Sequence, residues 1–197
     1  MNAAPVFDRV YGGLKHLLRS GTIVPGTRLD PARYAEQLAA SVTPVRDALH
    51  RLAGEHMVLA THDGFQVPSP SEPDLRDLYD WQYQLLQSAL RTSRRTHADF
   101  LPELPAEAHL AEVVEQLFSA IANAAPNLEL RHAVAASGDR LHAVRRAETL
   151  VLPGLAEELS DLIEADLRTL RTRLGRYHRR RIAAASETLR ALYRAAG

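Results

Sequence analysis

Apolar positions in the first third of the chain recur at helical spacing three times and then at strand spacing twice. Val6, Val10, Leu14, Leu17 and Leu18 form one stripe, which predicts a helix over Val6–Arg19 closed by Ser20-Gly21. Asp30-Pro31 sets a capping carboxylate before a proline at a first helical position. It predicts a second helix with Tyr34, Ala35 and Leu38 inward. Thr43-Pro44 repeats the device and opens a third helix. Val45, Leu49 and Leu52 face inward there, with Arg46, His50 and Arg51 mostly off that face. Met57–Thr61 and Phe65–Val67 are β-compatible runs, joined by His62-Asp63-Gly64 as a tight turn.

Three short helices and a hairpin in so few residues describe a winged helix-turn-helix. Pro68, Pro70 and Pro73, with Ser69 and Ser71 between them, read as a linker. No strand pattern follows it. Helices are predicted at Asp74–Thr96, Glu107–Asn123, Asn127–Ala136 and Arg140–Leu150, then as one long element from about Leu155 to Tyr193, with Phe100–Pro105 as a loop. The expected fold class is therefore mostly α. Residues 1–68 are an N-terminal winged helix-turn-helix of three helices plus a β-hairpin, 69–73 the linker, and 74–197 an all-α helical bundle. Leu155, Leu159, Leu162, Ile163, Leu167, Leu170 and Leu174 make a stripe that reads as bundle core or as a dimer seam.

Composition narrows the class. Apolar residues make up 46% of the 197, enough for a real core. With no cysteine, disulfides and thiolate metal sites are excluded. No apolar run approaches the roughly 18 residues of a membrane span, and the N-terminus lacks a charged-then-apolar leader pattern, so a cytoplasmic protein is expected. The formal net charge is zero, and residues 1–70 hold seven basic against six acidic side chains. Nucleic-acid binding must then use a local patch rather than a global field. The arginines of Arg168–Arg181 read as a solvated helix face with Glu164 and Asp166 as partners, in preference to a second DNA or acidic-ligand patch.

The helix-turn-helix reading carries chemistry. The second helix of such a pair lies in the major groove, and the first braces it across the backbone. Residues 31–54 have the short turn, the apolar inner face and the polar or basic outer residues this requires. Ser41 and Thr43 place hydroxyls where they can bond phosphate. Arg46, in the first turn of the helix read from Thr43, can reach a guanine O6/N7 pair or a phosphate. Arg33 can hold the adjacent backbone. His62 and Gly64 at the hairpin tip could enter the neighbouring groove, where glycine permits close approach. The alternative for the arginines is a solvated helix face, and for His62 a plain turn residue.

Leu17 to Val67 resembles the DNA-binding domain of GntR regulators. The matching residues include Gly21, Pro25-Gly26-Thr27-Arg28-Leu29, Leu38-Ala39, Ser41, Thr43-Pro44-Val45-Arg46-Asp47-Ala48-Leu49, Arg51-Leu52 and Gly64-Phe65. The resemblance implies that a dimer recognises a short DNA palindrome, with contacts from Arg33, Ser41, Thr43, Arg46 and the wing. Val42 stands where the family often has arginine.

The second half resembles the ligand-sensing FCD domain of the FadR subfamily, through Leu75, Leu78-Tyr79, Leu85 and Ala89 and through Asn127–Leu141 with Ser137-Gly138-Asp139. It departs at the positions that matter. The opening helix usually carries an arginine and, four residues on, a glutamate; here these are Gln82 and Leu86. The resemblance implies a divalent metal held by one aspartate and three histidines. The aspartate position falls on Pro126 or Asn127 and the next on Leu130 or Arg131, which are not donors. His132, His142 and His178 read as ordinary surface or half-buried histidines. No metal and no cofactor are therefore expected. The expected partners are double-stranded DNA, a second copy of the chain and, where the bundle senses at all, an apolar or carboxylate effector. A winged-helix adaptor and an enzyme with a borrowed winged helix are the alternatives; no nucleophile–base pair, Gly-rich phosphate loop or carboxylate constellation supports an enzyme.

Overall fold

The computed structural model describes residues 3–93 and 109–195. It is mostly helical, with a small sheet, and divides into two units: Met1–Pro70 with Leu192–Gly197, and Ser71–Ala191. None of the described helices is long and apolar enough to cross a membrane.

In the first unit, α1 (Ala3–Arg19) is followed by β1 (Arg28–Leu29), α2 (Pro31–Gln37), α3 (Val42–Gly54), β2 (Leu59–Thr61) and β3 (Gly64–Gln66). The stripe of α1 packs on α3, and Val10, Leu14, Val45, Ala48, Leu49 and Leu52 close the core. Asp30 caps α2 as expected, its carboxylate accepting from Ala32 N at 3.0 Å. Two expectations need correction. The wing is a three-stranded antiparallel sheet in the order β1-β3-β2, not a lone hairpin. Arg28 pairs with Gln66 and Leu29 with Phe65, supported by Gly26 N donating to Val67 O at 3.0 Å. Secondly, α3 starts at Val42 with Ser41 as its N-cap residue, so Thr43 is the second helical residue and not the cap.

The second unit holds α4 (Glu72–Thr92), α5 (Leu110–Asn123), α6 (Leu128–Glu148), α7 (Leu155–Ile163) and α8 (Leu167–Ala183), while α9 (Ala185–Ala195) runs to the end of the described chain. Pro73 lies inside the first turn of α4, which Ser71 and Asp74 close as a reciprocal capping box. Ser71→Ala is expected to cost about 1 kcal/mol, the usual worth of such a cap, read as a shift in urea midpoint at unchanged slope. The two helices expected over 127–150 are one, because Ser137-Gly138-Asp139 packs inside α6. Ser137 Oγ donates to Val134 O at 2.8 Å, and a Cβ on Gly138 would sit 3.8 Å from Glu115 Cγ. The long C-terminal helix is instead three. Asp166 caps α8 by accepting from Thr169 N at 2.7 Å, and the chain breaks again at Ala184. Residues 94–96, 107–108 and the Phe100–Pro105 loop lie outside the described residues.

A polar layer runs through the bundle's apolar core. Tyr79 donates its hydroxyl to Glu148 Oε1. Arg181 Nε donates to Glu148 Oε2 at 2.9 Å, and its Nη1 to Glu158 Oε2 at 2.8 Å. Gln82 accepts from Arg145 Nη2 at 2.6 Å and donates to Ser137 Oγ at 3.1 Å. Part of the basic stretch is thus interior ion pairing and not a solvated face. Arg173 does pair outward, with Asp161.

Two of the three bundle histidines are also deeper than expected. His132 is exposed, but His142 is buried against Glu115 at 3.0 Å, and His178 is fully enclosed between Tyr83, Phe118 and Tyr177. Burial holds the His178 imidazole down at about 3. Between pH 6.5 and 3 the unfolded chain therefore takes up a proton that the folded chain refuses. Stability is complete above 6.5 and falls with acid by up to about 1.4 kcal/mol per pH unit. Urea midpoints at pH 7.0 and 5.5 should diverge more for the wild type than for His178→Leu; equal divergence would refute the assignment.

Candidate nucleic-acid interface

Residues 38–42 set the angle between α2 and α3. Leu38 ends α2, Ala39 takes a left-handed backbone (φ 47°), and Ala40 N donates back to Ala35 O at 2.9 Å. Arg9 on α1 donates to both Leu38 O and Ala39 O, tying this turn to α1. The apolar face of α3 is wholly used in the core. Its outward face is left to Thr43, Arg46 and His50, which recur at helical spacing and are all exposed.

The hairpin folds beside that face. A groove of about 620 Å³ runs between the start of α2, α3 and the β2–β3 hairpin. Arg28, Asp30, Arg46, His50, His62 and Gly64 are among the residues that line it. The fold thus brings Arg46, His62 and Gly64 together across one groove. Arg33, Ser41 and Thr43 are exposed but lie outside its lining. Arg46 occupies the fifth helical position, not the first turn. It carries no hydrogen bond or ion pair among the described residues, and neither does Arg33, so both guanidiniums are available to an outside anion. The Ser41 side chain makes no capping bond, which leaves its hydroxyl free for an outside acceptor. Val42 is exposed at the first turn, an apolar residue on an otherwise polar edge.

Two lining residues were missed by the sequence reading. His50 sits edge-on to Phe65 with ring centroids 4.8 Å apart, which aims it along the groove. Arg28 reaches from β1 and donates through Nη2 to Asp63 O, tying the tip to the strand. The Pro-Gly-Thr-Arg-Leu run contained the signal for Arg28, but its role depends on a pairing that has no periodicity. Of the two acids that line the groove, Asp30 caps α2, and the exposed Asp63 lies 3.2 Å from His62 Nε2. Gly64 has φ 120°, a backbone that side chains rarely adopt, so glycine is needed for the tip's shape. A Cβ there would meet nothing closer than Arg28 at 3.8 Å. Among the described residues no group of three His, Asp or Glu side chains could hold a metal ion.

Comparison with known proteins places this geometry. Residues 7–64 match the family of bacterial regulatory proteins described as the gntR family. The HTH-type transcriptional regulator McbR of Escherichia coli (strain K12) is 35% identical over 112 residues, covering 55% of this chain and 48% of McbR. The Nta operon transcriptional regulator of Aminobacter aminovorans is 37% identical over 76 residues, covering 38% of this chain and 36% of that protein. The chain thus spans about half, or less, of the length of these curated relatives. Among solved structures, E. coli McbR/YncC superposes with a TM-score of 0.69 at 24% identity, covering 92% of this chain and 97% of that one. A putative GntR transcriptional regulator from Rhodococcus sp. RHA1 gives 0.66 at 19% identity, with the same coverage. The fold is that of a winged-helix N-terminal domain with a helical C-terminal domain.

Proposed function

Residues 7–64 being a helix-turn-helix domain of the GntR family, we propose that the protein is a transcriptional regulator that binds a palindromic DNA operator as a homodimer. Residues 1–68 act as its DNA-binding domain, and residues 74–197 as its dimerising and sensing domain, joined through 69–73. The observation that carries this reading is the groove in which Arg46 from α3 and His62 and Gly64 from the wing face one space. Arg46 reads a base edge or holds a phosphate. Arg33, Ser41 and Thr43 hold the flanking backbone, and the wing tip enters the adjacent groove. The named relatives are transcriptional regulators. A regulator of this kind works where the chromosome is, in the cytoplasm.

The test is a fluorescence anisotropy titration of the whole protein with a selected operator and with unrelated duplex, at several salt concentrations. Operator binding should weaken by about 10³-fold or more between 50 and 200 mM salt if six phosphates are engaged. Affinity independent of salt would remove DNA as the partner. Light scattering at micromolar concentration is expected to give twice the chain mass, and a monomer would dismiss the two-half-site model.

A further inference from the structure

α8 carries seven arginines and no acid over Leu167–Ala183. Three of them are engaged within the unit. Arg181 meets Glu148 and Glu158, Arg180 meets Glu158 at 3.4 Å, and Arg173 lies 4.0 Å from Asp161. The other four, Arg168, Arg171, Arg176 and Arg179, are exposed and take part in no ion pair among the described residues. The acids that spacing offered as their partners do not serve. Asp166, beside Arg168, is committed to capping, and accepts from Thr169 N at 2.7 Å and from Thr169 Oγ1 at 2.6 Å. Glu164 forms no ion pair among the described residues. The neighbouring helix extends the same surface. α4 has no acid from Trp81 to Thr92, and Arg91 there is exposed and likewise forms no ion pair among the described residues. The acid just before this stretch, Asp80, accepts from Gln84 Nε2 at 2.5 Å. Arg171 joins the two helices: its Nη2 donates to Leu90 O at 3.1 Å, and its carbonyl accepts from Gln87 Nε2 at 3.2 Å. A Cβ on Gly175 would sit 3.1 Å from both Arg179 Nη1 and Tyr83 Oη, so the missing side chain lets Arg179 lie beside Tyr83.

Arg168, Thr172, Arg176 and Arg179 recur at helical spacing and make one exposed face, about 16 Å long at the rise of an α-helix. Like charges set side by side on a helix repel, so a face of this kind calls for an external anion. Its chemistry selects which one. No large apolar side chain is exposed over 168–183 or 82–92. A stable protein interface anchors on aromatic and apolar side chains, and a helix that lies on a membrane needs an apolar face; this surface offers neither. Phosphodiesters are held by guanidinium and hydroxyl groups alone. Over about 16 Å one strand of duplex DNA presents about five phosphates, so each of the arginines can meet one. We propose that the exposed face of α8, with Arg91 of α4, is a second duplex-DNA contact, made through phosphates and indifferent to sequence. It adds affinity through counterion release and leaves base reading to α3. The proposal rests on the reading of the chain as a DNA-binding regulator.

Anisotropy titrations of the full chain with operator and with unrelated duplex, over a range of salt, test it. The double variant Arg176→Gln/Arg179→Gln should bind both duplexes about tenfold more weakly at low salt, with a salt slope smaller by about two. The ratio between operator and unrelated duplex should not change. Both side chains are exposed, so the melting temperature should stay where it is. The chain has no cysteine, so a single one can carry a DNA-cleaving iron–EDTA tether. Thr172→Cys so labelled should cut bound duplex, and the same tether at Ser160→Cys, on α7 beside the exposed Glu157 and Glu164, should not. Unchanged affinity and slope in the double variant, or no cutting from residue 172, would overturn the contact. Polyglutamate that competes as well as duplex at equal charge would also overturn it, in favour of an acidic protein. Arg46→Ala separates the two readings. Operator binding that Arg46→Ala weakens and the arginine pair leaves untouched keeps the winged helix and refutes this contact. Duplex binding unchanged by Arg46→Ala but lost with the arginine pair keeps this contact and removes α3 as the reading helix.

Discussion

Arg181→Met is expected to lower the unfolding free energy by about 3–5 kcal/mol, the range for removing one partner of a buried ion pair. Arg181 is 3% exposed and is the shared donor to two carboxylates, Glu148 and Glu158, while its guanidinium lies over the Tyr177 ring at 3.3 Å. Methionine keeps most of the volume, so the loss reports charge and hydrogen bonds more than a cavity. Glu148 bears it, since its carboxylate keeps only the Tyr79 hydroxyl. Burial works against the Arg181 charge, yet the facing Tyr177, Glu148 and Glu158 hold the guanidinium more firmly protonated, and the Tyr79 phenol is pushed well up by burial and by Glu148. Glu148→Gln in the Arg181→Met background should recover part of the loss, because glutamine still accepts from Tyr79 and brings no charge. Urea denaturation of the two single variants and the double closes the cycle. A loss below about 1 kcal/mol for Arg181→Met, against the range expected for a buried pair, would mean that the pair is effectively solvated.

Arg46→Ala is expected to cost about 1–3 kcal/mol of operator affinity if the guanidinium reads a guanine, and to relax selectivity at that base pair alone. A phosphate role predicts something different: uniform weakening across sequences and a salt slope smaller by about one. Either result keeps the helix where the fold puts it. The side chain is exposed on α3, away from Val45, Ala48, Leu49 and Leu52, so the melting temperature should hardly move. Unchanged affinity at fixed salt would count decisively against α3 as the reading helix. His50→Ala, one turn further along the same groove, offers a second point on that face.

The fold was legible where a local signal and the tertiary outcome agree. α1 showed its whole stripe, and Asp30-Pro31 announced α2 to the residue. β1 was not legible, because two residues carry no period and its existence depends on pairing with β3. Thr43-Pro44 imitated a cap, but Ser41 has the extended backbone of the N-cap, which moved Arg46 down the helix by two positions. In the bundle, leucines at helical spacing on both sides of residues 164–166 masked a capping signal that was present, Asp166 with Thr169. The break at Ala184 has neither glycine nor proline to betray it. At the site, Arg46, His62 and Gly64 could be chosen from turn and helix chemistry alone. Arg28 and His50 acquire their places only when the hairpin folds across α3, a relation between segments that spacing along the chain cannot express. The same limit hid the depth of His142 and His178, whose partners Glu115 and Phe118 belong to another helix.

The two-residue β1 strand has a consequence for how the domain meets its target. It fastens the segment leading into α2 to the central strand of the wing, and Arg28 ties the same segment to the hairpin tip. The segment that enters the helix-turn-helix and the wing are therefore fastened to each other. Parts already locked lose little conformational entropy on association, so affinity is left to the contacts themselves. On the proposed DNA-binding reading, the same ties make the distance between α3 and the wing tip a gauge, met by a duplex whose two adjacent grooves lie that far apart.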